Sequence, residues 1–141
     1  MRDSMQICGG SSSGKSTVAN LIKTRLKNQP QIINLIDFYL PVRGNMRRRT
    51  DSATVLQPDD SDPESAAKIE KEINEIDRTY DFDVPSAIDW ELLIKGLKML
   101  KEGKPFDKPI YNQHLKLREK KTEKVYASNL IIVEGHLIFT N

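Results

Sequence analysis

The run Met5-Gln6-Ile7-Cys8-Gly9-Gly10-Ser11-Ser12-Ser13-Gly14-Lys15-Ser16-Thr17 constrains this chain more than any other stretch. A short apolar segment breaks into glycines and serines and then enters a helical pattern, which reads as strand, loop, helix. Gly9 and Gly14 stand five apart and Lys15 with Ser16 follows, the spacing of a loop that wraps phosphate. The glycines let the backbone turn sharply and aim successive N–H groups, from Gly9 through Gly10, Ser11, Ser12, Ser13 and Gly14 to Thr17, at phosphate oxygens. Lys15 reaches the outer phosphates, and the Ser16 hydroxyl is suited to a Mg²⁺ ion. A Gly/Ser turn that happens to precede a lysine is the simpler alternative, and the strand and helix signals on either side argue against it.

At 141 residues the chain can build one domain with its own core. Its 22 basic and 20 acidic residues leave a net charge of +2, which gives no global pull toward nucleic acid or an anionic membrane. The single cysteine, Cys8, excludes an internal disulfide and is expected to be a small buried residue of the first strand. No apolar run approaches the roughly 20 residues of a membrane span, and the first residues lack the apolar core of a signal peptide. The expected location is cytoplasmic.

After the loop, Val18, Leu21, Ile22 and Leu26 lie at helical spacing, Lys23, Arg25 and Lys27 favour the helix C-terminus, and Pro30 stops the run. One face of this helix is expected to pack on a sheet. Ile32-Ile33-Asn34-Leu35-Ile36 reads as a second strand, parallel to the first, and it delivers Asp37 to the edge where open α/β sheets bind ligands. Residues 41–62 read as a flexible loop insertion with a basic cluster at Arg43, Arg47, Arg48 and Arg49, solvated rather than phosphate-binding. Asp59, Asp60 and Asp62 then cap a helix whose apolar stripe is Ile69, Ile73 and Ile76. A further helix starts at Asp89, turns Leu93, Leu97 and Leu100 inward and ends at Gly103. Pro109-Ile110-Tyr111 and Lys124-Val125-Tyr126 form a hairpin-like excursion, with the charged segment from His114 to Glu123 between them. The lone His114 reads as a solvated loop residue. Leu130-Ile131-Ile132-Val133 is a fully apolar strand that carries Glu134 and Gly135 to its end.

In this order the residues resemble the uridine kinase and uridine-cytidine kinase family within the phosphoribulokinase-like phosphate-loop kinases. The segments that carry the likeness are Gly9 to Thr17, Asp37-Phe38-Tyr39, Tyr80-Asp81-Phe82-Asp83 through Asp89, Pro109-Ile110-Tyr111 with Arg118, and Val125 to Gly135. The resemblance implies an α/β fold: a parallel phosphate-loop sheet with flanking helices and a small β-hairpin excursion, forming a single partial kinase domain over residues 1–141. It implies transfer of the γ-phosphoryl group of ATP to the 5′-hydroxyl of uridine or cytidine, with ATP and Mg²⁺ as cofactors and a homo-oligomer as a possible assembly. Lys15 and the loop amides would hold phosphate, Ser16 and Glu134 the Mg²⁺ with Asp37 beside it, and Asp37 would act as base on the attacking hydroxyl. Tyr39, Phe82, Asp83, Tyr111, Lys116 and Arg118 would line the nucleoside side.

Asp37 abuts Phe38, where the family places one residue between its aspartate and the Phe-Tyr pair, and Gln113 and Lys116 stand where it has an aromatic and a histidine. Only three parallel strands are legible before the chain stops six residues past Gly135, so the sheet is expected to be incomplete at its C-terminal side. The alternative function is a catalytically inactive nucleotide-binding kinase remnant with a regulatory or interaction role.

Overall fold

Strand β5 (Leu130–Gly135) is buried from Ile131 onward, as its unbroken apolar sequence requires. It pairs in parallel with β1 (Asp3–Cys8) on one side and β2 (Gln31–Asn34) on the other, giving the order β1-β5-β2. The computed structural model describes residues 2–27, 29–42 and 63–139. The register sets Cys8 opposite Gly135 and Asn34 opposite Glu134, so all three strands end at one level. The phosphate-loop motif leaves the sheet at that edge, between β1 and helix α1 (Lys15–Arg25). Among the described residues no helix is long and apolar enough to cross a membrane.

The second strand is shorter than the β-branched run suggests. Leu35–Phe38 turns into a 3₁₀ segment, because Asn34 Oδ1 accepts a hydrogen bond from Ile36 N at 3.0 Å and caps the turn. Leu35 and Phe38 then face the core, where Phe38 stacks on Phe106 with ring centroids 6.3 Å apart. Helix α2 (Pro63–Thr79) buries the expected stripe of Ile69, Ile73 and Ile76. Helix α3 (Trp90–Lys101) starts where Asp89 Oδ1 accepts from Leu92 N at 3.0 Å, and it buries Leu93 and Leu100. The antiparallel hairpin of β3 (Phe106–Asn112) and β4 (Leu117–Val125) is longer than its sequence signal. Most of the charged segment after His114 is strand; its middle is exposed on both faces, so it carries no alternation to read. Residues 43–62 of the expected insertion, with their arginines and the helix-capping aspartates, lie outside the described residues.

Two expectations change at β1. The strand is exposed along most of its length, and Cys8 is exposed as well, its thiol donating to the carbonyl of His136 at 3.3 Å. Helix α1 buries only Ala19 fully, while Val18 and Leu21, and Leu26 just past its end, remain exposed. β1 is one of the two edges, and no further strand among the described residues stands beside it to receive that face.

Gly135 fixes the approach of β5 to the 3₁₀ turn. A Cβ added there would lie 2.4 Å from Leu35 Cβ, close to the backbone and hard to move aside. Gly135→Ala is therefore expected to lower stability by about 1–3 kcal/mol, the usual cost of overpacking a core. The denaturant midpoint checks this.

Candidate active site

A cavity of about 660 Å³ opens at the strand ends. The phosphate loop forms one side of it. Gly14, with φ of 87°, is in the left-handed region that a side chain disfavours, and its carbonyl accepts the first helical bond of α1, from Val18 N at 2.9 Å. This turn brings Lys15 into the cavity, its ammonium bonded to the carbonyl of Gly10, with Ser11, Ser12 and Ser16 beside it. Gly9, Ser13, Gly14 and Thr17 are not among its lining residues.

Glu134 stands behind Ser16. One carboxylate oxygen, Oε1, accepts from Ser16 Oγ at 3.0 Å and from Asn34 Nδ2 at 3.2 Å, whereas Oε2 is buried with no hydrogen-bond partner. A buried carboxylate oxygen left unpaired costs free energy, and a hard cation beside a hydroxyl is a partner that would offset the cost. Among the described residues no group of three or more His, Cys, Asp or Glu forms a metal cage. Two protein oxygens supplemented by phosphate and water is how Mg²⁺ is usually held, so the residues present fit that ion.

Aromatic rings form the other side. Tyr39 meets Phe82 edge-on with centroids 5.6 Å apart and Tyr111 at 5.5 Å, and Lys116 Nζ sits 5.0 Å above the Phe82 ring while pairing with Asp77 at 2.8 Å. Burial, then the charge of Asp83 and the neighbouring Tyr80, pushes the Tyr39 phenol up to about 12. Tyr111 is raised too, chiefly by burial, and its buried hydroxyl has no partner. Both phenols therefore stay protonated near neutral pH. Asp83 lines the cavity, and its carboxylate Oδ1 is 3.2 Å from Nε2 of His136.

The site thus gathers Lys15, Ser16, Tyr39, Phe82, Asp83, Tyr111, Lys116 and Glu134 around one cavity. Asp37 and Arg118 are not among its lining residues. The 3₁₀ turn carries Asp37 to the hairpin, where its carboxylate bonds Lys108, a buried β3 ammonium that also pairs with Glu123 at 2.9 Å. Burial opposes the charge on Lys108, but the bonds to Asp37 and Glu123 outweigh it and leave the ammonium with a raised pKa. Ile36 lines the cavity instead, at the position the family's one-residue spacing before Phe38-Tyr39 gives to a carboxylate. Arg118 spends its fork on structure: Nε donates to the carbonyl of Tyr39, Nη2 to that of Phe38 and Nη1 to Asp89 Oδ2, each at 3.0 Å.

Asn34 and His136 join the site without a motif to mark them. Asn34 is the one polar residue in the run Ile32–Ile36, and that polarity is the available signal. His136 directly follows the strand-end pair Glu134-Gly135, on the ligand edge of the sheet.

Residues 5–140 match the phosphoribulokinase/uridine kinase family. The chain is 34% identical over 133 residues to a uridine kinase of Schizosaccharomyces pombe, covering 92% of this chain and 23% of that protein. It is 33% identical over 133 residues to a uridine kinase of Clostridium novyi, covering 94% of this chain and 51% of that protein. The solved structure of a possible uridine kinase from Bacillus stearothermophilus superposes with a TM-score of 0.58 at 21% identity, over 98% of this chain and 62% of that one. A putative fructose transport system kinase from Silicibacter gives 0.63 at 16% identity, over 97% and 55% of the two chains. These two likenesses concern the fold. The chain spans about half the length of the bacterial relative and about a quarter of the yeast one.

Proposed function

The chain belongs to the phosphoribulokinase/uridine kinase family, and we propose that it supplies the nucleotide and nucleoside sites of a kinase passing the γ-phosphoryl group of ATP to the 5′-hydroxyl of uridine or cytidine. One observation carries this reading: a single cavity has Lys15 and the Ser16–Glu134 pair on one side and Tyr39, Phe82, Tyr111 and Asp83 on the other. The first side suits a triphosphate and the second suits a flat base with a hydroxylated sugar.

Phosphoryl transfer asks the protein mainly for positioning and charge stabilisation. Lys15 and the loop amides hold the outer phosphates. Ser16 and the Glu134 carboxylate would hold Mg²⁺, which would supply neutralisation of the charge developing on the phosphates. Phe82 and Tyr111 flank the base, and Asp83 accepts from ribose hydroxyls. Lys116, anchored by Asp77 over the Phe82 ring, adds positive charge to the acceptor side. The proposed setting is a cytoplasmic pool of free nucleosides.

A second reading, nucleotide binding without transfer, draws on the capture of Asp37 by Lys108 on the hairpin. Incubation with γ-labelled ATP and either uridine or cytidine separates the two. Mg²⁺-dependent label in the nucleoside monophosphate is the expected result. ATP binding with no labelled product from either nucleoside would leave only the second reading.

A further inference from the structure

We propose that His136, held by Asp83 and Tyr39, accepts at Nδ1 a hydrogen bond from the hydroxyl that receives the phosphoryl group, so that this imidazole positions the acceptor. The inference rests on the nucleoside kinase reading above and names the contact that aims its acceptor.

The ring's orientation follows from its partners. Tyr39 Oη donates its one proton to the carbonyl of Phe82 at 3.1 Å and lies 3.3 Å from His136 Nε2. Asp83 Oδ1, 3.2 Å from the same nitrogen, is a carboxylate oxygen and only accepts. With a carboxylate oxygen and a hydroxyl already committed to Phe82 on this side, the neutral ring is best satisfied with its hydrogen on Nε2. Nδ1 is left as the acceptor nitrogen. His136 lines the cavity together with Lys15, Glu134 and Ile36, between the phosphate and aromatic sides.

Among the described residues, the carboxylate expected for this task lies elsewhere. A hydroxyl attacking phosphorus must be held with a lone pair facing the γ-phosphorus. Asp37 is bonded to Lys108 outside the cavity lining, and the wall residue in its turn is the apolar Ile36. In the step being prepared, the hydroxyl oxygen forms the new bond to the γ-phosphorus. The bond from that phosphorus to the β–γ bridging oxygen breaks, its electron pair leaving on ADP, and the hydroxyl proton is released to water. Because the transition state is loose, aim counts for more than early ionisation of the hydroxyl.

The test compares the binding of uridine and 5′-deoxyuridine, which lacks only the hydroxyl in question, by calorimetry in the presence of an unreactive ATP analogue. The wild-type chain is expected to favour uridine about five- to tenfold, the worth of one hydrogen bond. His136→Leu and His136→Gln should both bring the ratio to about one, since Gln carries its polar end near the Nε2 position. His136→Asn, with an oxygen near the Nδ1 position, should restore part of it. A purely structural role for His136 would change both affinities and leave their ratio alone. Survival of the ratio in the Leu and Gln variants, or its loss in Asp37→Asn instead, would overturn the inference. Failure of uridine to bind the wild-type chain at all would overturn the nucleoside reading and this contact with it.

Discussion

Lys15→Ala is expected to weaken ATP binding by about 10- to 100-fold, the usual worth of a charge-assisted hydrogen bond to phosphate. The Lys15 ammonium is already inside the cavity, bonded to the loop carbonyl of Gly10, so it is placed for the outer phosphates and needs only to exchange one oxygen for another. The variant should fold normally, because the side chain supports no core contact. Calorimetric titration with ATP reads the effect, and an unchanged affinity would remove the phosphate-loop assignment. Lys15→Arg should not rescue fully, since a wide planar fork does not replace a compact ammonium in a tight loop.

Glu134→Gln should cut phosphoryl transfer by about 100-fold or more and shift its Mg²⁺ dependence to higher concentration. The same change should leave the ligand-free protein as stable as before, or more so. Gln keeps an oxygen to accept from Ser16 and Asn34, while the charge on the unpartnered buried oxygen disappears. Stability retained while function is lost marks a group held in an unfavourable state for its ligand. Unfolding midpoints with and without Mg²⁺ and ATP check both halves: the wild-type protein should gain from the pair, and the variant should gain less. A variant that loses stability without ligand would show that Glu134 is chiefly a structural anchor.

Features whose physics is local were legible in the sequence. The phosphate loop, the Asp89 cap, the inward leucines of α3 and the apolar strand ending at Glu134 each follow from a spacing of a few residues, and each stands as expected. What could not be read depends on partners distant in sequence. Asp37 follows a run that looks like strand to its end, yet Asn34 turns that run into a 3₁₀ segment and the carboxylate meets Lys108, 71 residues on. Arg118 carries a substrate-side role by resemblance, and its fork is consumed by the carbonyls of Phe38 and Tyr39. Cys8 has the character of a buried strand residue, but its strand is an edge of the sheet among the described residues. His136 gained meaning only when Tyr39, 97 residues earlier, came within hydrogen-bond distance.

The central claim is that one cavity receives both the phosphate donor and the nucleoside acceptor, and a bisubstrate compound measures it most directly. An adenosine and a uridine joined through a tetraphosphate should bind at least about tenfold more tightly than ATP, because the second half binds at high effective concentration once the first is seated. Lys15→Ala and Asp83→Asn should each weaken it, from opposite ends. An affinity equal to that of ATP, lowered by Lys15→Ala and untouched by Asp83→Asn, would contradict the claim and leave a chain that binds nucleotide alone.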